Sequence, residues 1–153
     1  MPALLRWILI VLAIGVGLFL LIQLVPVNRE NPPVVTQVQW DSPQTEALFR
    51  RSCADCHSNE TVWPWYSRIA PVSWLVARDV QEGREKFNLT DLSGMRSQSL
   101  SRLPEELAEV VYEGEMPMPI YTIMHPDAKL SKAEQRALVD GLQQTLSLTQ
   151  AAR

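Results

Sequence analysis

The chain has 153 residues, of which 46% are hydrophobic and 20% are charged, and its formal net charge is −3. This length leaves room for one modest domain beside a terminal segment, and the negative charge supplies no basic surface for DNA or RNA. Two cysteines, Cys53 and Cys56, are too few for a disulfide framework.

An apolar segment, WILIVLAIGVGLFLLIQLV at residues 7–25, lies close to the start of the chain. It is uncharged, and its length matches the roughly 20 residues that a helix needs to cross a bilayer. No face of it carries the polar stripe of a core helix. The sequence therefore predicts a transmembrane anchor over residues 1–27. A cleaved signal peptide is the alternative, but the apolar run exceeds the usual h-region and no small-x-small cleavage site follows it.

Few charges flank the predicted anchor, so its orientation depends on a small bias. Arg6 precedes the apolar segment, whereas Arg29 is followed by Glu30. Because positive charge is enriched on the cytoplasmic side of membrane spans, this bias places the N-terminus in the cytoplasm. The prediction is a single-pass protein of the cytoplasmic (inner) membrane with its C-terminal domain in the periplasm.

Residues 28–39 follow the anchor and contain Pro32 and Pro33. They show little helical periodicity, so they are interpreted as a proline-rich linker. Residues 40–153 then carry mostly helical signals, and no alternating apolar pattern in them indicates a sheet. The sequence predicts a mostly α domain over this range.

Start signals and periodicity predict four helices in the domain, at residues 43–53, 72–87, 104–113 and 132–148. Ser42 can cap the first helix, and Pro43 is suited to its first position. Pro104 is interpreted in the same way as the start of the third helix. Ser131 and Glu134 have the spacing of a capping box before the last helix.

A Cys-x-x-Cys-His motif, formed by Cys53, Cys56 and His57, lies directly after the first of these helices. Two thiols at this spacing can meet the two vinyl groups of one porphyrin, and the adjacent imidazole can reach the iron from the same side. The motif predicts one covalently bound haem c, with both cysteines as attachment points and His57 as an iron ligand.

Three other kinds of site use the same residues. A thioredoxin-like dithiol normally follows a strand in an α/β pattern, and no such pattern precedes Cys53. A structural zinc site needs four ligands, and only His125 is available besides the motif. A disulfide would close a loop too short to stabilise the fold by much, and it would leave His57 without a role.

The iron of such a haem has a further axial position, for which Met116 is the preferred ligand. Met116 follows a predicted helix and precedes Pro117, whose ring restricts the preceding residue to an extended conformation. A thioether opposite an imidazole raises the reduction potential and suits electron transfer. Met118, in the same Met-Pro context, and His125, which would give a bis-histidine haem, are the alternatives.

Aromatic residues are concentrated shortly after the motif, in the sequence Trp63-Pro64-Trp65-Tyr66-Ser67-Arg68. Buried Trp N–H and Tyr O–H groups need partners, which haem propionates could provide with Arg68 as the counter-charge. Trp63, Trp65, Tyr66 and Arg68 are therefore candidate cofactor-binding residues, with ordinary core and rim packing as the alternative. Arg78 and Arg84, on a predicted helix, are expected to be solvated rather than directed at the haem.

Three blocks of sequence match one known family in order: CADCHSNETVWPWYSRIAPVSW, the Glu-Gly-Arg at residues 82–84, and GEMPMPIYTIMHPDAKLS before the last helix. From about residue 45 to 146 the chain resembles the haem-binding domain family of bacterial membrane-anchored proteins with a single c-type haem. The resemblance implies a cytochrome c-like helical fold around one covalent haem, with His57 as the proximal ligand.

The same resemblance implies a distal ligand, because the Met-Pro pair at Met116 is similar to that of small class I cytochromes c. The chain departs from this pattern by repeating the pair as Met116-Pro117-Met118-Pro119.

The expected function is one-electron transfer on the periplasmic side of the membrane, by a carrier rather than an enzyme. The expected partners are the membrane and an unknown redox protein, such as a respiratory complex, with no nucleic acid. A haem-based gas or redox sensor, or a small peroxidase-like protein with a displaceable distal ligand, is the alternative. A docking module with a mainly structural haem is a third hypothesis.

Overall fold

The computed structural model describes residues 2–151, and this part of the chain is 66% helical and contains no strand. The predicted mostly α fold is confirmed. In chain order the α-helices are α1 (Ala3–Ile22), α2 (Pro43–Ser52), α3 (Ala54–His57), α4 (Val72–Lys86), α5 (Ser97–Glu113), α6 (Pro119–Met124) and α7 (Lys132–Ala151). Short 3-10 turns lie at Trp65–Arg68 and Pro126–Ala128.

The chain divides into two compact units. The first unit comprises the residues up to Glu30 together with Trp63–Asp79. The second comprises Asn31–Val62 and the chain from Val80 onwards.

Helix α1 belongs to the first unit, and none of its residues is buried. It spans 20 residues with a mean hydropathy of 2.6 in its most apolar window, which is long and apolar enough to cross a membrane. A signal sequence satisfies the same criteria. The helix begins four residues before the predicted apolar segment because Ala3-Leu4-Leu5-Arg6 are good helix formers, and it ends before Gln23.

Leucines from three helices form the core of the second unit. Helix α7 places Leu138, Leu142 and Leu146 four residues apart on one face, and all three are buried. They share a core with Phe49 of α2 and Leu103 of α5. Burial of such a side chain contributes about 1.5–3 kcal/mol, so this face is what fixes α7 against the rest of the unit.

Helix α5 begins at Ser97, so the prediction that it starts at Pro104 is wrong. Pro104 lies inside the helix and cannot donate to the carbonyl of Leu100, which costs about 3 kcal/mol or more. Leu100 and Leu103 are only 5% and 4% exposed. Their burial, at about 1.5–3 kcal/mol each, offsets that cost and carries the helix past the proline.

Residues 28–39, predicted as a linker, contain no helix. From Asn31 onwards this segment nevertheless belongs to the second unit, where the amides of Val35 and Thr36 both donate to the carbonyl of Thr90, at 2.9 and 2.8 Å. The Thr36 hydroxyl accepts in turn from the amide of Leu92 at 2.9 Å. The predicted domain boundaries themselves stay a prediction.

The capping box at the start of α7 has the predicted form. The amide and hydroxyl of Ser131 both donate to Glu134 Oε2 at 2.8 Å, and Arg51 donates to the other carboxylate oxygen at 2.7 Å. The bond from the Ser131 amide, followed by those from the Arg51 and Ser131 side chains, lowers the pKa of Glu134 from 4.5 to about 2. The ionised carboxylate therefore stabilises the fold.

Glu134→Gln should lower the thermal midpoint of unfolding near neutral pH but not in strong acid. A depressed carboxyl pKa stabilises the fold fully above the unfolded value of about 4.5, and this stabilisation is lost as pH falls towards 2. Thermal unfolding of both chains from pH 7 to pH 2 measures the difference, with Glu105→Gln on the exposed side of α5 as the control. A difference between wild type and Glu134→Gln that does not shrink in acid would contradict the prediction.

Candidate functional site

The Cys-x-x-Cys-His motif lies on a single helical turn. Helix α2 ends at Ser52, and the amides of Cys56 and His57 both bond to the carbonyl of Cys53, at 3.2 and 2.9 Å. Positions three and four apart on a helix share one face. The local fold therefore places the three motif residues within one turn, but only Cys53 and His57 of them are among the described residues that line the cavity below, and Cys56 packs against Gly83 of α4.

The imidazole of His57 is fixed by the residue that follows α4. Its Nδ1 lies 3.2 Å from the carbonyl of Phe87, and the two rings stack with centroids 4.1 Å apart and planes 9° apart. Because a carbonyl only accepts, Nδ1 carries the proton and Nε2 keeps its lone pair for a metal. Burial lowers the pKa of His57, and bonds to the backbone of Phe87 and Gly83 oppose this only in part.

A cavity of about 450 Å³ in the second unit is lined by Cys53, His57 and Met116. This volume lies within the range of about 300–1,000 Å³ that is usual for cofactor sites. The wall is largely apolar, with Phe87, Leu103, Leu107, Val110, Val111, Leu138 and Leu142. The charged lining residues are Lys86, Glu106, Glu109 and Glu115. A thiol, an imidazole and a thioether around one apolar space are donors that fit a haem.

Met116 reaches this cavity because of how α5 ends. Gly114 terminates the helix with a φ of 80°, a left-handed conformation that glycine adopts without strain. The chain then turns back, and the amide of Met116 donates to the carbonyl of Val110 at 3.0 Å. This bond holds Met116 beside the helix face that forms one wall of the cavity.

The two alternative axial ligands are placed elsewhere in the second unit. Met118 precedes α6 as its N-cap residue, and the cavity lining described above does not include it. His125 stacks on Tyr121 with ring centroids 4.2 Å apart, and Tyr121 donates to Asp55 at 2.7 Å. Of the three candidates, Met116 alone shares the described cavity with His57, although its ligation stays a prediction.

The predicted propionate-binding residues belong to the first unit. Trp63, Trp65, Tyr66 and Arg68 are not among the described residues that line the cavity. Trp65 packs edge-to-face on Tyr66, with ring centroids 5.8 Å apart. The cavity brings together Cys53, His57 and Met116 but not this aromatic group, whose role toward a haem stays a prediction.

Both cysteines carry free thiols. Burial, with a smaller contribution from Cys56, raises the pKa of Cys53 to about 12. A redox-active dithiol has the opposite property, since its attacking sulfur is a thiolate with a depressed pKa. The environment of Cys53 therefore argues against the dithiol alternative.

Arg84 positions the segment after the motif, and the expectation that it is solvated is wrong. It is half-buried, and its Nε donates to the carbonyl of Ser58 at 2.9 Å. Its terminal nitrogen donates to Asn31 at 2.8 Å and to Thr61 at 2.9 Å. Helical periodicity alone gave no sign of these partners, although the Glu-Gly-Arg block that carried the family resemblance contains this residue.

A buried polar network holds the carbonyl of Phe87 near His57. Asn88 donates to Asn59 at 2.6 Å and accepts from the amide and hydroxyl of Thr90 at 3.1 and 2.9 Å. In the same segment, the amide of Leu89 donates to the carbonyl of His57 at 2.9 Å. These bonds restrain residues 57–59 and 87–90, the two segments that meet at the imidazole of His57.

Gly83 lets α4 approach the motif closely. A Cβ atom at this position would lie 2.5 Å from the carbonyl oxygen of Cys56 and 2.9 Å from its Cβ. Backbone atoms cannot move aside as a flexible side chain can. Any residue larger than glycine at position 83 would therefore displace either α4 or Cys56.

Gly83→Ala should destabilise the domain by about 1–3 kcal/mol, since overpacking at a closely packed position has costs of this size. It should also lower the yield of covalently bound cofactor, because the added methyl group would displace Cys56, a predicted attachment point. Chemical unfolding and the ratio of haem to protein measure the two effects. Gly94→Ala is the matched control, since a Cβ atom at Gly94 would meet no atom within 4 Å. Equal stability of the two variants would contradict the prediction.

Comparison with protein-family models gives a match to a haem-binding domain over residues 17–144. No curated protein and no solved structure matches the chain. The matched range contains the motif, Met116 and all the residues that line the cavity. It covers most of the chain and supports binding of haem. The chain therefore belongs to the haem-binding domain family.

Proposed function

We propose that this protein is a membrane-anchored c-type cytochrome that carries one covalent haem and transfers single electrons on the periplasmic side of the inner membrane. One observation carries the proposal: Cys53, His57 and Met116 line the same largely apolar cavity. The family match supports the haem, and the apolar helix α1 supports the anchor.

Haem, when bound, supplies a one-electron couple whose potential depends on its axial ligands. His57 would bind the iron through Nε2, because Nδ1 donates to the carbonyl of Phe87. Met116, which lines the same cavity, would supply a thioether to the iron. Leu103, Leu107 and other apolar side chains would exclude water from the site, which favours electron transfer over reactions that need an open position.

Cys53 and Cys56 would attach the cofactor by adding across its two vinyl groups. In each addition the sulfur bonds to one vinyl carbon and the thiol hydrogen goes to the other, so no oxidant is consumed. His57, the next residue after Cys56 in α3, would help to hold the same cofactor. Helix α1 would keep this redox centre close to a membrane-bound partner, such as a respiratory complex.

Expression of the full chain with a cytochrome c maturation system tests the proposal. The purified protein should keep its haem on a denaturing gel, and optical spectra of the oxidised and reduced forms should show a low-spin, six-coordinate iron. Protein purified from such cells without covalently attached haem would overturn the proposal.

The alternative of a gas sensor or peroxidase-like protein predicts an open or displaceable position on the iron. The cavity favours electron transfer because Met116 lies in its lining. Carbon monoxide should therefore bind the reduced protein slowly or not at all in the absence of denaturant. Rapid binding would favour the sensor or the peroxidase.

A further inference from the structure

Five large apolar side chains between residues 65 and 75 of the first unit are exposed. The exposed fractions are 69% for Trp65, 43% for Val72 and 38% for Trp74, and Ile69 and Leu75 are also exposed. These side chains are close in sequence and come from the turn at Trp65–Arg68 and the start of α4. Contiguous exposed apolar side chains mark a surface that meets another apolar phase. We call this stretch the interfacial segment.

Hydrogen bonds tie the interfacial segment to the end of α1. Gln23, directly after the last residue of the helix, donates to the carbonyl of Ala70 at 3.2 Å and accepts from its amide at 2.9 Å. Arg29 donates to the carbonyl of Ser67 at 3.2 Å. Ser67 and Ala70 of the interfacial segment are thus hydrogen-bonded to the residues that follow α1.

This attachment fixes the depth of the interfacial segment if α1 crosses a membrane. A 20-residue helix is about as long as the hydrocarbon core is thick, so Gln23, which follows it, lies where that core ends. Pairing both polar groups of Gln23 with the backbone of Ala70 satisfies them at a depth where water is scarce. The interfacial segment then lies at the level of the lipid headgroups.

The residue types of the interfacial segment suit that level. Tryptophan is enriched at both faces of a bilayer because its ring is apolar and its N–H is polar. Arg68 is exposed on the same turn as Trp65 and can meet lipid phosphates. Ile69, Val72 and Leu75 can reach the upper part of the acyl chains.

We propose that the interfacial segment binds the phospholipid bilayer that α1 crosses, with Trp65 and Trp74 inserted among the lipid headgroups. This inference rests on the proposed membrane anchor. It gives the aromatic stretch a lipid-binding role that needs no contact with haem. Gln23 acts as a positioning residue that holds the segment at the membrane surface.

Photo-crosslinking of the full chain in phosphatidylethanolamine–phosphatidylglycerol liposomes tests the proposal. Trp65→p-benzoylphenylalanine and Trp74→p-benzoylphenylalanine should each give lipid adducts, detected by mass spectrometry. Their yields should be several times that of Ile123→p-benzoylphenylalanine, a control at a 74% exposed apolar residue of α6 in the second unit. Yields at positions 65 and 74 no higher than at position 123 would overturn the proposal.

Alkaline carbonate extraction of the same liposomes separates this proposal from the anchor. A chain that resists extraction but gives no excess of adducts at positions 65 and 74 overturns the interfacial segment while the anchor stands. A chain that carbonate releases overturns both. Gln23→Ala should reduce the adduct yield at position 65 without releasing the chain, and an unchanged yield would overturn the positioning role of Gln23.

Discussion

Cells that express the double variant Cys53→Ala, Cys56→Ala should produce a chain with no covalent haem. These are the two cysteines of the sequence, so no other thiol can form a thioether. After denaturing electrophoresis, haem staining should show a strong band for the wild-type protein and none for the double variant. Retention of the stain would rule out thioether attachment at this motif.

The double variant should also be less stable, because the space that a haem would fill lies within the core. The cavity of about 450 Å³ is bounded by Leu103, Leu138 and Leu142, which also belong to the central leucine cluster. Without cofactor these side chains lose contacts on one side. A loss of about 3 kcal/mol would lower the midpoint of thermal unfolding by about 10–15 °C in a domain of roughly 110 residues.

The control for these experiments is Ser101→Cys in the double-variant background. Ser101 is an exposed residue of α5, so the new thiol restores a cysteine away from the motif. This variant should stay unstained, because attachment needs a sulfur beside His57. A stained band would show that attachment does not depend on the motif's geometry.

Met116→Ala should remove the absorption band of methionine–iron ligation and lower the reduction potential. Without the thioether, the iron would have an open position or would bind a different donor. Axial ligands tune haem potentials over about 0.8 V. A fall of at least about 0.1 V is therefore expected. Optical spectra of the oxidised protein and a redox titration measure these changes.

Met118→Ala is the matched control for Met116→Ala, because both residues precede a proline in the same loop. It should keep the band and the potential, since Met118 starts α6 and is not among the described cavity residues. Loss of the band in Met118→Ala but not in Met116→Ala would identify Met118 as the ligand instead of Met116. Absence of the band from the wild-type protein, with a six-coordinate iron, would point to His125.

Local signals in the sequence were enough to predict the motif and most of the helices. Ser42 and Pro43 start α2, and Ser131 and Glu134 start α7, because caps depend on residues within one turn. The start of α5 could not be read in the same way. Its first two turns depend on the burial of Leu100, a tertiary contact that outweighs the local signal of Pro104.

Long-range partners explain what the sequence did not reveal about the site. Arg84 bonds to residues 23 to 53 positions away along the chain, and no periodic pattern encodes such pairs. The aromatic residues after the motif are close to it in sequence, which suggested a shared role. The division of the chain instead assigns Trp65 and His57 to different units.

Under the proposed function, the contacts of His57 have a consequence for the rate of electron transfer. Stacking on Phe87 and the bond to its carbonyl both hold the ring without help from a cofactor. A ligand that is already fixed moves little when the charge of its metal changes. The protein's share of the reorganisation energy should therefore be small, so a modest driving force would suffice for rapid exchange with a partner.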